Sequence, residues 1–151
     1  MGGFPPDAPG LSDALAVVEV ALAIMLVAGW VLVRAGHVRA HMLVQSTIIF
    51  VNIPLVLYGM VPAYLTYVLP YVPGGLGHPA VLVPTLMLVF GALAEVLGVY
   101  IVLVAGTDWI PERFRFRRYK LWMRTELLLW WGVVFAGLTT YALFFVPGAS
   151  L

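Results

Sequence analysis

Cysteine is absent from the 151 residues. That excludes disulfides, thiolate metal sites, thioether-linked haem and iron–sulfur clusters on their usual ligands. Charge is scarce: Asp, Glu, Lys and Arg make up 10% of the chain, against about 25% in a soluble domain. The first residues, MGGFPPDAPGLSDA, lack the basic stretch of a signal peptide, so the first apolar run is expected to stay as a span. No nucleophile–base motif, phosphate-binding loop or HExxH zinc motif occurs. No internal repeat marks an inverted-repeat transporter. These absences argue against an enzyme or a transporter.

What is present is apolar: 63% of residues are hydrophobic and mean hydropathy is +1.04. A chain this short has too little interior to hide such surface from water. Lipid is therefore the expected solvent, and the expected fold is an all-α integral membrane bundle. Residues 1–10, rich in Gly and Pro, read as a flexible tail, and 11–151 as a single four-helix domain. Four runs reach the roughly 20 apolar residues that a span needs: 11–34, 41–69, 79–105 and 121–146. Pro54 and Pro62 predict a kink in the second, and Pro84 one in the third. Ser12 and Asp13 read as the cap of the first helix.

The eight basic residues fall at two connections. Arg34 and Arg39 flank the first; Arg113, Arg115, Arg117, Arg118, Lys120 and Arg124 flank the third. Four spans put both connections on one side, which the positive-inside rule makes cytoplasmic. Both termini and the Lys- and Arg-free PYVPGGLGH connection are then expected outside. Trp109 and Trp122 sit where indole rings anchor at an interface. The segment TDWIPERFRFRRYK suits anionic head groups or a partner protein, or simply an ordinary positive-inside loop. Topology accounts for these cations, so nucleic acid is not an expected partner. Membrane lipids and other integral membrane subunits are.

Polar groups inside spans are costly and usually face the bundle interior. On the second span His41, Gln45 and Asn52 form one stripe at about 100° per residue, which His37 and Gly59 extend. Gly91, Glu95 and Gly98 share a face of the third span. Glu126, Trp130 and Gly137 share one on the fourth. A rise of about 1.5 Å per residue lets His41, Gln45, Glu95 and Glu126 converge in the basic half of the bundle. Two uses compete. His37, His41, Glu95 and Glu126 carry imidazole and carboxylate groups that suit a transition metal, a haem-associated site or proton handling. Alternatively they are structural glue, with Glu126 paired to an Arg and the amides bonded across helices. His41 and His78 are the candidate haem contacts. They should lie a bilayer apart, so they cannot share one haem, and His78 reads equally as a helix cap. One His with Met42 or Met123 remains conceivable for haem.

Three stretches carry a resemblance: HVRAHMLVQ, LGHPAVLV and RFRRYKLWMRTELLLWWGVVFAGLTTY. Over roughly residues 11–146 the chain resembles the "domain of unknown function 420" family of small prokaryotic membrane proteins. The resemblance implies a four-helix protein of the prokaryotic cell (inner) membrane. Some relatives are associated with maturation of haem–copper terminal oxidases. His41, His78 and Trp130 match the family's pattern. Tyr119–Lys120 stands where relatives commonly show His–Arg, and loss of a ligand there would favour a structural role. The expected function is an accessory or assembly protein of a membrane redox complex, in contact with haem or a metal. The alternative is a small structural subunit of a larger membrane complex, with no cofactor of its own.

Overall fold

The computed structural model describes residues 9–115 and 117–145, with side chains from 13 to 144. Every regular element among them is helical. Helix α1 spans Pro9–Arg34 and α2 spans Val38–Leu55. A π-helical turn, Val56–Met60, leads into α3, Val61–Tyr67. A 3₁₀ turn, Leu69–Tyr71, and a short α4, Val72–Gly75, follow. Helix α5 spans Pro79–Gly106, a 3₁₀ turn covers Glu112–Phe114, and α6 spans Tyr119–Phe145.

Four stretches are long and apolar enough to cross a membrane: Asp13–Arg34, Val38–Gly75, Pro79–Gly106 and Tyr119–Phe144. The chain is a multi-pass membrane protein. Helix α1 packs on α2, α2 on α5, α5 on α6, and α6 back on α1, which closes a four-helix ring. Its core is Leu22, Leu26, Ile48, Ile49, Ala94, Trp130 and Val134. Large apolar side chains also cover the outside, among them Val17, Leu43, Val96, Leu128 and Phe135. In water such a surface would drive aggregation; against lipid tails it is solvated.

Two expected boundaries move. Helix α1 is already formed at Pro9, so Ser12 and Asp13 lie inside it and do not cap it. Asp13 instead accepts a hydrogen bond from the Tyr141 hydroxyl at 2.7 Å, tying α1 to the far end of α6. Of the expected tail, residues 1–8 lie outside the described residues, as does Val146 at the expected end of the fourth span. The second span runs to Gly75 rather than residue 69. Pro70 and Pro73 each open a new short helix instead of stopping the chain, because a missing N–H costs nothing in a first turn. Pro54 lies within α2, just before the π-helical turn that absorbs its disrupted bonding.

The first connection is tight for a readable reason. Gly36 has φ +82°, a left-handed conformation that favours glycine. The His37 N–H then bonds the Leu32 carbonyl at 2.9 Å, and the Gly36 N–H bonds that of Val33 at 3.2 Å. This pair of bonds ends α1 as a Schellman motif and turns the chain directly into α2. At the basic end the third connection is tied by Arg115. Its guanidinium donates to the carbonyls of Ile110 and Thr107 and to Asp108, each at 3.0 Å. Tyr100 donates from α5 to the Phe114 carbonyl in the same connection.

Candidate functional site

A cavity of about 360 Å³ opens at the basic end of the ring, a size in the range of small-molecule sites. Its walls come from α1, α2, α5 and α6. Leu26, Ile49, Ile101 and Leu127 make it apolar, and Trp30 and Trp130 add flat aromatic faces. His41, Met42, Gln45 and Glu126 supply the polar and soft groups.

His41 belongs to the expected stripe and points across to α1. Its Nδ1 lies 2.8 Å from the Gly29 carbonyl oxygen. A carbonyl only accepts, so Nδ1 carries the proton and donates. In the neutral imidazole, Nε2 therefore keeps the lone pair. Gly29 makes room for this: a Cβ there would meet the Gln45 Nε2 at 2.7 Å and the His41 Nδ1 at 3.5 Å. Nothing polar in α1 flags Gly29, so the stripe on α2 revealed the histidine but not its partner.

Glu126 is buried, at 8% exposure. Its Oε1 accepts from the Trp130 indole N–H at 2.8 Å, one turn along α6. Its Oε2 is buried with no protein partner. The expected pairing with an Arg is not made; the carboxylate is held by an indole and pressed against Gly98 of α5. Glu95 lies within electrostatic range of Glu126 but does not line the cavity. Its Oε2 accepts from the Asn52 amide at 2.8 Å, an α2–α5 cross-link, while Oε1 is buried and unpartnered. The amide bond across helices expected of Asn52 is thus present.

His41 and Glu126 line the cavity; His37 and Glu95 do not. Among the described residues no three His, Asp or Glu side chains are grouped to hold a metal ion. His37 stands at the N-terminus of α2 without a side-chain capping bond. His78 caps α5 at the opposite end of the bundle, its Nδ1 accepting the Ala80 N–H at 3.3 Å. A full span separates it from His41. For haem, the residues fit a single imidazole contact at His41, with the thioethers of Met42 and Met123 in the same cavity. They do not fit a bis-histidine pair.

The chain matches no protein-family model, no curated protein and no solved structure.

The cavity mouth carries three cations that the expected site did not include as a group. Arg34 ends α1, and Lys120 and Arg124 begin α6; all three line the cavity. Arg34 stacks over the Trp30 ring at 4.8 Å, which fixes the guanidinium beside the opening. The charge pattern signalled all three as topology determinants. Only the packing of α1 on α6 shows that they share one opening.

Proposed function

We propose that this chain is an accessory or assembly protein of a membrane redox complex of the haem–copper oxidase type, making a haem contact through His41. The observation that carries the haem contact is the 2.8 Å approach of His41 Nδ1 to the Gly29 carbonyl. A protein carbonyl holds Nδ1–H, and the imidazole stands in an apolar cavity with two methionines. A second group that orients a ligating histidine is the usual support for a metal-facing Nε2. The redox assignment rests on the resemblance in HVRAHMLVQ, LGHPAVLV and the fourth span. The proposed setting is a prokaryotic cell membrane, with the Arg- and Lys-rich end in the cytoplasm.

A small structural subunit without a cofactor of its own is the second reading. A specific observation favours it: His78 is a helix cap, and Asn52, Glu95, Glu126 and Trp130 bond to one another across or along helices. Gentle detergent extraction of the tagged chain, with mass spectrometry of what accompanies it, tests the accessory role. Oxidase or cytochrome subunits in constant ratio are expected. Constant recovery with a complex that carries no redox centre would replace the redox reading with the structural one.

A further inference from the structure

We infer that the cavity at the basic end is a binding site for an anionic amphiphile. A carboxylate or phosphate head would sit among Arg34, Lys120 and Arg124, with its apolar body between Trp30, Ile49 and Trp130. The inference goes beyond the redox reading and does not require it.

Three observations converge. First, the cations are unbalanced. Among the described residues the one ion pair is Arg115 with Asp108, in the third connection, and it includes none of these three. Second, their placement opposes the local backbone field. Lys120 lies in the first turn of α6, which holds no acidic residue, and Arg124 follows one turn further along. A helix N-terminus favours negative charge, so cations there are mutually and locally unfavourable until an anion joins them. A positive-inside bias requires basic residues on this side, but it does not require residues from two different helices to meet at one opening. Third, behind these cations the cavity is apolar: Leu26, Ile49, Ile101 and Leu127 line it together with the rings of Trp30 and Trp130, which suits a hydrocarbon body and not a bare inorganic anion.

The source of the anion is either a phospholipid of the surrounding leaflet or a free carboxylate amphiphile. Both share a charged head and an apolar body, and the test separates them. The full chain is placed in phosphatidylcholine nanodiscs and titrated with 11-(dansylamino)undecanoic acid, read by energy transfer from tryptophan to dansyl. Saturable binding is expected, at least tenfold tighter than that of the probe's methyl ester. Arg34→Gln/Arg124→Gln, which changes only exposed side chains, should weaken it at least tenfold while helical circular dichroism is unchanged. Ser46→Phe, which fills the cavity and keeps every cation, should weaken it equally. Displacement by oleate alone would identify a free carboxylate amphiphile. Displacement by lysophosphatidylglycerol at lower concentration would identify a phospholipid. Equal binding of acid and ester, equal displacement by zwitterionic lysophosphatidylcholine, or unchanged binding in the double-glutamine variant would overturn the inference. The probes contain no haem, so their failure leaves the redox reading standing, and the converse also holds.

Discussion

Replacing Trp130 with Ala should lower the stability of the bundle by on the order of 2–4 kcal/mol. The side chain is 3% exposed and belongs to the central cluster. In water, truncating a buried Trp also loses hydrophobic transfer energy. Within a bilayer that part shrinks, because lipid is as apolar as the bundle interior. What remains is lost dispersion contact and a lost hydrogen bond. The second part is unusually exposed to test. Trp130 is the donor to Glu126 Oε1, and Oε2 has no protein partner. Trp130→Phe keeps most of the packing but leaves the carboxylate with no donor, and should cost about 1–2 kcal/mol by itself. Unfolding in mixed detergent, followed by tryptophan fluorescence or circular dichroism, gives both numbers. A Phe variant as stable as the parent would mean that the indole N–H contributes nothing to holding Glu126.

Gly98→Leu should be as damaging from the opposite direction. A Cβ at residue 98 would fall 2.6 Å from Glu126 Oε1 and 2.8 Å from Ile49 Cδ1. Neither neighbour is free to retreat: Ile49 is 3% exposed in the core, and the carboxylate is tied to Trp130. Overpacking of this kind costs about 1–3 kcal/mol or more, and here it presses α5 away from α2 and α6 together. The same substitution therefore narrows or deforms the cavity. Gly132 provides the contrast. Nothing lies within 4 Å of a Cβ there, so Gly132→Ala should leave stability unchanged or raise it, by up to about 1 kcal/mol from helix propensity. Opposite signs for the two glycines are the expected result of thermal unfolding in detergent. Equal effects would contradict close approach at residue 98.

Much of the fold was legible because a bilayer imposes it. Length and hydropathy define four spans, and the helical phase of Asn52, Glu95, Glu126 and Trp130 put each on an inward face. The structure bears out those faces through the Asn52–Glu95 and Trp130–Glu126 bonds. The helix ends were less legible. The second span is expected to end at residue 69, before the PYVPGGLGH connection, yet Pro70 and Pro73 each stand in the first turn of a further short helix. Ser12–Asp13 carried a capping signature, but α1 already starts at Pro9 and Asp13 accepts from Tyr141 instead. The candidate site was half visible. Phase brought His41 and Glu126 to one interior. It could not say that Glu95 turns to Asn52 or that His37 stays at a helix end. The cations were legible in part: Arg124 and Arg39 are expected at the mouth of the inward cluster, and Arg124 lines the cavity while Arg39 does not; that Arg34 joins Arg124 depends on α1 packing against α6, a contact with no local sequence signal.

In the proposed site His41 presents Nε2 to a ligand in this cavity. The most direct test is a visible spectrum of the detergent-purified chain during titration with haem. A Soret shift that saturates at one haem per chain is predicted. It should be lost in His41→Ala and retained in His78→Ala, whose imidazole only caps α5. A spectrum identical to free haem in detergent, or a shift that survives His41→Ala, would contradict the account and leave a structural subunit in its place.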